Sequence, residues 1–155
     1  MLKYRLKEID TRILEHLQTN ARLSNVELSQ RINLSQSPCL RRVKKLEEKG
    51  IIKGYVTLID QNIVGLPVSV FVNVSLEKQI ESALELFEKA IKSRPEVMEC
   101  YLMTGDADYL LRVVASNLAA YERFLLDHLT RIKGVASIKS SFALKQVTYK
   151  TVLPI

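Results

Sequence analysis

The sequence predicts an α+β chain in two small domains, three short helices in front and a βαββαβ unit behind. Charge predicts the division. Residues 1–60 carry 12 Lys and Arg against 7 Asp and Glu, whereas residues 61–155 carry 11 against 10. Hydrophobic period predicts it again. Apolar residues recur every three or four positions up to Gly50, then alternate strictly through PVSVFVNVSL, Pro67–Leu76. Beyond that stretch, strand-like and helix-like segments follow in the order of a split βαβ unit. A chain of 155 residues suits one ordinary domain or two small ones. The boundaries are expected at 1–54 for the basic domain, 55–66 for a strand and hinge linker, and 67–155 for the back domain.

In the front domain, a first helix is expected from Asp10, as its cap, to about Gln18. Ile9, Ile13 and Leu17 recur every four residues and Leu14 widens the stripe. Ser24-Asn25-Val26-Glu27 is a capping box, so a second, short helix begins after Ser24, with Leu28 and Ile32 on one face. A third begins after Ser35 or Ser37, because proline is tolerated in a first turn, where its missing N–H would lack a partner anyway. Gly50 suits the left-handed position that closes it. The run Ile51–Asp60 reads as a strand, which makes the module a winged helix-turn-helix.

The third helix holds Arg41, Arg42, Lys44, Lys45 and Lys49 within nine positions. At 100° per residue, Cys39, Val43 and Leu46 form one stripe that must pack on the first two helices. Ser37, Arg41, Lys44 and Lys45 then point away, with Leu40 to one side and Arg42 nearer the packed edge. A basic helix face is often only a solvated surface. A short capped basic helix that follows another across a tight turn is also what a major-groove reader needs. Arginine can pair with guanine in two hydrogen bonds, leucine can touch a thymine methyl, and lysines can neutralise phosphates.

The back domain opens with Val68, Val70, Val72, Val74 and Leu76 on one strand face and Ser69, Phe71, Asn73 and Ser75 on the other. Ile80, Leu84, Phe87 and Ile91 repeat at helical spacing. Val97–Thr104 and Tyr109–Val114 are strands joined by Gly105-Asp106-Ala107-Asp108. Asn117 caps a second helix with Leu118, Tyr121, Leu125, Leu129 and Ile132 inward, and Gly134 ends it. Val135–Leu144 is a further strand, and Val147–Leu153 is a candidate for one more. This is a ferredoxin-like order with both helices on one sheet face. The other face carries Phe71 with nothing left in the chain to cover it, which argues for a partner subunit.

Composition narrows the function. Hydrophobic residues make up 47% and charged residues 26%, the balance of a globular protein. No run of about 18 apolar residues offers a membrane span, and MLKYRLKEIDTR has no signal-peptide core. Cys39 and Cys100 make no disulfide framework, so reduced thiols and a cytoplasmic location are expected. His16 and His128 have no ligand partners at metal spacing. Gly50, Gly54 and Gly65 form no phosphate-binding spacing, and no nucleophile, base and oxyanion donor converge. No cofactor and no enzymatic activity are expected.

The Gly105–Tyr109 turn admits several readings. It can be a β-turn whose Asp side chains bond the local backbone. Asp106 and Asp108 could also serve a divalent cation, but hard cations want six or more oxygens and no other carboxylate cluster lies near.

Taken together, LSQSPCLRRVKKLEEKGIIKGY, GDADYLLRV and IKGVASI resemble the Lrp/AsnC (leucine-responsive, feast/famine) family of transcriptional regulators over nearly the whole chain. The resemblance implies a DNA-reading front domain, with Gln36, Ser37, Pro38, Leu40, Arg41, Arg42, Lys44 and Lys45 at double-stranded DNA. It implies homodimers that commonly assemble into rings of four dimers, an octamer. It implies an amino-acid effector in the back domain, in a pocket between subunits. The turn supplies Gly105, Asp106 and Asp108, with Tyr101 and Leu102 beside it. A second wall from Ala136, Ser137, Ile138 and Ser140, with Leu118, closes the pocket. An effector ammonium suits Asp106 or Asp108, and its carboxylate suits N–H groups of a tight turn. Leu102, Leu118, Ala136 and Ile138 imply an apolar amino acid, leucine or methionine first. Against this stands an architectural DNA-packaging protein whose back domain only oligomerises.

Overall fold

The computed structural model describes residues 6–155; residues 1–5, counted in the front domain above, lie outside the described residues. The chain divides into a front unit, which ends at Leu58 and takes back Val147–Ile155, and a back unit, Ile59–Gln146.

The front unit holds α1 (Glu8–Thr19), α2 (Asn25–Arg31) and α3 (Gln36–Glu48). Ile13, Leu14, Leu28, Ile32, Cys39 and Leu46 form its core, with Val43, Ile51 and Ile52 packed against it. The apolar stripe expected on α3 is therefore the one that is buried. The capping box forms in full: the Ser24 hydroxyl accepts from Glu27 N–H, and Ser24 N–H donates to the Glu27 carboxylate. Ser35 is the N-cap of α3, and Gly50 follows its end with φ +66°.

Three expectations fail here. Asp10 does not cap α1, whose N-cap is Lys7. It lies inside the first turn, buried, because its carboxylate meets an arginine of α3. Ile51–Asp60 forms no strand among the described residues. Its strand-forming residues find no ladder partner among the described residues. Val147–Leu153 is not a strand either. It joins the front unit, where Gln18 receives Leu153 N–H at 2.7 Å and donates back to Leu153 C=O at 3.4 Å.

The back unit contains β1 (Val68–Leu76), α4 (Glu81–Lys92), β2 (Val97–Leu102), β3 (Tyr109–Ala115), α5 (Leu118–Asp127), a 3-10 turn (Leu129–Arg131) and β4 (Val135–Phe142). The strands lie in the order β2-β3-β1-β4, all antiparallel. This is the βαββαβ arrangement expected. Val70, Val72, Val74, Leu111 and Val113 meet Phe87 and Ile91 of α4 and Tyr121 and Phe124 of α5, so both helices cover one face.

The second helix is shorter than its periodicity suggested. It ends at Asp127, and His128 at φ −125° leads into the 3-10 turn, which carries Leu129 inward. Leu118, expected inward, is 63% exposed. Phe124 takes the buried place instead. Asn117 does cap α5, its side chain accepting from Ala120 N–H. On the opposite sheet face, Phe71 pairs across with Arg112 and Ser141 and is 39% exposed. Beside it Arg112 bonds Glu99 and Gln61.

Candidate DNA interface and effector site

The outer face of α3 is a shallow groove lined by Ser37, Leu40, Arg41, Lys44, Lys45, Glu48 and Lys49. It arises because the buried stripe of Cys39 and Leu46 fixes the helix rotation, which leaves positions 37, 41, 44 and 45 outward. Four of the expected DNA residues with a charge or hydroxyl, Ser37, Arg41, Lys44 and Lys45, are thus brought together with Leu40. Gln36 is exposed at the helix start, where its carbonyl accepts from the Asn25 amide at 2.9 Å. Pro38 is half-buried.

Arg42 stands apart from this group. Its guanidinium donates to Asp10 Oδ1 at 2.7 Å, and the two side chains are 33% and 4% exposed. Arg42 holds α3 against α1. Glu48 was missed by sequence reasoning. It stands four residues after Lys44 on the same face, a spacing that could have revealed it, and it puts a negative charge at one end of the basic groove.

In the back unit, the turn after β2 carries Gly105 at φ +129°, a backbone state that favours glycine. Asp106 is exposed, and its carbonyl accepts from Ser75 Oγ at 3.4 Å. Asp108 is 7% exposed and fully engaged. Its Oδ2 accepts from Leu76 N–H at 2.6 Å and its Oδ1 from the Gln79 amide at 2.5 Å. Its own N–H donates to Val74 C=O, and its C=O accepts from Met103 N–H. Asp108 therefore braces the turn against the end of β1. That is close to the plain turn reading, except that the bonded backbone is 32 residues away rather than local. Gln79 was not foreseen, because nothing in the short Glu77–Ile80 connection marks it.

Of the remaining candidates, Tyr101, Leu102, Ala136 and Ser137 lie at the same end of the sheet as the turn, and Leu118 does not. Tyr101 is exposed, and its hydroxyl bonds Glu99, which holds the phenol above its ordinary pKa. Leu102 is exposed at the end of β2. Ala136 and Ser137 are exposed at the start of β4, Ser137 opposite Ser75. Ile138 turns inward onto the back core. The Ser140 hydroxyl meets the Tyr121 hydroxyl and is committed there. Leu118 follows the far end of β3, so the length of that strand, about 20 Å at ~3.3 Å per residue, separates it from the turn. A single chain therefore does not assemble the expected pocket, and Leu118 and the turn cannot share one wall within it. Among the described residues, no three His, Cys, Asp or Glu side chains gather to hold a metal ion. No helix among them is long and apolar enough to cross a membrane.

Two family models match the chain. Residues 6–53 match a family model for winged helix-turn-helix DNA-binding domains, and residues 69–153 match that of the Lrp/AsnC ligand binding domain. The chain is 50% identical over 150 residues to the Bkd operon transcriptional regulator of Pseudomonas aeruginosa, covering 97% of this chain and 98% of that one. It is 38% identical over 142 residues to the leucine-responsive regulatory protein of Escherichia coli, covering 92% and 87%. Among solved structures, a methionine complex of a transcriptional regulator from Neisseria meningitidis superposes with a TM-score of 0.91 at 42% identity, covering 97% of each chain. AsnC of Escherichia coli superposes with a TM-score of 0.87 at 25% identity, covering 96% and 99%. The chain belongs to the Lrp/AsnC family of transcriptional regulators, with a DNA-binding helix-turn-helix in front and a ligand-binding domain behind.

Proposed function

We propose that this chain is an amino-acid-responsive transcription regulator of the cytoplasm. Its front domain, 1–54, binds double-stranded DNA through α3, and a linker, 55–66, leads to the effector domain at 67–155. The observation that carries the reading is the outward cluster of Ser37, Leu40, Arg41, Lys44 and Lys45 on a capped helix whose other face is core. Arg41 reads base edges near the helix start, and Lys44 and Lys45 neutralise phosphates. Gln36 and Pro38 lie at the entry of the helix, and Arg42 orients it. The reading gives the chain a binding role and no catalysed reaction.

The effector is an apolar amino acid, leucine or methionine first. The leucine-responsive relatives and the methionine complex of the similar Neisseria regulator support this choice. Asp106 is the exposed acid of the turn and meets the effector ammonium, while Asp108, already engaged, keeps the turn in shape. Tyr101, Leu102 and Gly105 border the turn. Ala136, Ser137, Ile138 and Ser140, with Leu118, come from another copy; within one chain Leu118 lies a strand's length from the turn. A half-exposed Phe71 on an uncovered sheet face gives the homodimer its motive, and four dimers complete an octamer.

The test is a DNA-binding titration of the purified protein with and without each common amino acid, with light scattering on the same samples. The reading expects an oligomer whose DNA affinity shifts with leucine or methionine. A particle of 17.7 kDa would remove the dimer. Firm DNA binding that no amino acid alters would favour the architectural alternative.

A further inference from the structure

We propose that Tyr55 is a positioning residue that sets how faithfully α3 reads DNA, by tying the chain that leaves α3 back onto Glu47 and backing Leu40 from behind. The chain reverses at Gly50, and the N–H groups of Ile51 and Ile52 both reach Leu46 C=O, at 2.9 and 3.2 Å. The segment thus runs back along α3. The Tyr55 hydroxyl donates to Glu47 Oε1 at 2.9 Å. Burial and the Glu47 carboxylate push the phenol up to about 12, so it remains a donor at any working pH.

The Tyr55 ring borders a cavity of about 140 Å³ where the three helices meet, together with Leu17, Leu28, Leu40 and Val43. Asn25 also lines it, with Oδ1 buried and unpaired, while its amide grips Gln36 C=O at the start of α3. Leu40 is the residue that belongs both to this cavity and to the outer basic groove. The cleft is open to water, and Leu40 and Tyr55 are 43% and 48% exposed there, so packing alone does not fix the Leu40 rotamer. Leu40 therefore has room to swing inward unless the ring opposite holds it out beside Arg41 and Lys44. The hydroxyl bond to Glu47 keeps that ring in place. Three residues further on, the front unit ends at Leu58. The polypeptide that departs toward the effector domain is thus fastened to the reading helix through one side chain.

The proposal rests on α3 as the reading helix, and the test separates the two. A duplex is selected from a random pool with the full-length protein, and affinity is measured for it and for a scrambled duplex. Tyr55→Phe and Glu47→Ala should lower the ratio of the two affinities about five-fold, the net worth of roughly one hydrogen bond, with scrambled affinity held within about two-fold. Glu47→Gln keeps an acceptor and should restore most of the ratio. If Tyr55→Phe does not fold, the two Glu47 variants carry the test. Folded variants that keep the wild-type ratio, or that lose both affinities in parallel, overturn the proposal. Arg41→Ala is measured alongside. An unchanged ratio there with a lowered one for Tyr55→Phe removes Arg41 as the reader and leaves Leu40 as the residue that Tyr55 positions.

Discussion

Replacing Arg42 with methionine should damage the fold of the front unit and spare its choice of DNA. Asp10 is almost completely enclosed, and its salt-bridge partner is Arg42 at 2.7 Å. Removing one partner of a buried pair leaves an uncompensated charge, which costs about 3–5 kcal/mol when both groups are fully enclosed. Here the guanidinium side is one-third exposed, so water reaches the vacated end. The cost should fall to about 2–3 kcal/mol, below the fully buried range. For a unit this small, each kcal/mol moves the midpoint by about 4–8 °C, so the first unfolding step should drop by roughly 10–20 °C. Calorimetry of the full-length protein measures it. The double variant Asp10→Asn with Arg42→Met should recover part of the loss, because the stranded charge is gone, and the non-additivity of the cycle measures the coupling. At a temperature where the variant is folded, its ratio of selected to random DNA affinity should match the parent. An unchanged midpoint together with lost DNA affinity would refute the reasoning and return Arg42 to the DNA surface.

Further outcomes follow from the same structure. Arg41→Ala should lose about 1–3 kcal/mol of discrimination between selected and random duplex, while Lys44→Ala and Lys45→Ala should weaken both and each reduce the salt slope by about one; filter binding across a salt series reads both. Asp108→Ala strands the Leu76 N–H and should cost about 1–3 kcal/mol in a denaturant melt, with loss of any amino-acid response, since the turn loses its brace. The Ser24 hydroxyl and backbone N–H hold the Glu27 carboxyl below its usual range. The capping box therefore contributes stability that is present above the ordinary glutamate pKa and lost as pH falls through the lowered one. A carboxyl titration by NMR should show the Glu27 pKa rise on Ser24→Ala, though only in part, because the backbone N–H of residue 24 still reaches the carboxylate.

Much of the fold was legible because it rests on local signals. The capping box at Ser24, the alternation of Val68–Leu76 and the stripe of Cys39, Val43 and Leu46 each state burial within a few residues. What could not be read depends on distant partners. Asp10 looks like a helix cap until an arginine 32 positions later reaches it. Tyr55–Ile59 has strand composition, but a strand also needs a neighbour, and the sequence does not say whether one exists in the same chain. The spacing of Leu125, Leu129 and Ile132 continues across the break at His128 because the 3-10 turn keeps the last two on the inner side. On α3 the helical period gave the outward face, Ser37, Leu40, Arg41, Lys44 and Lys45, while the tie of Arg42 to Asp10 depends on a partner 32 residues away. The effector residues were placed by resemblance alone, and a single chain keeps Leu118 and the Gly105 turn at opposite ends of β3.

The central claim is that an apolar amino acid binds the back domain and changes DNA binding by the front one. Titration calorimetry of the assembled protein with leucine, methionine, asparagine, glutamine and lysine tests it most directly. Apolar pockets separate ligands that differ by a methylene by only about 1–3 kcal/mol, so leucine and methionine should both bind, and the polar three should not, since an unpaired buried amide or charge costs several kcal/mol. Tight binding of asparagine, glutamine or lysine with no heat from leucine or methionine would contradict the account.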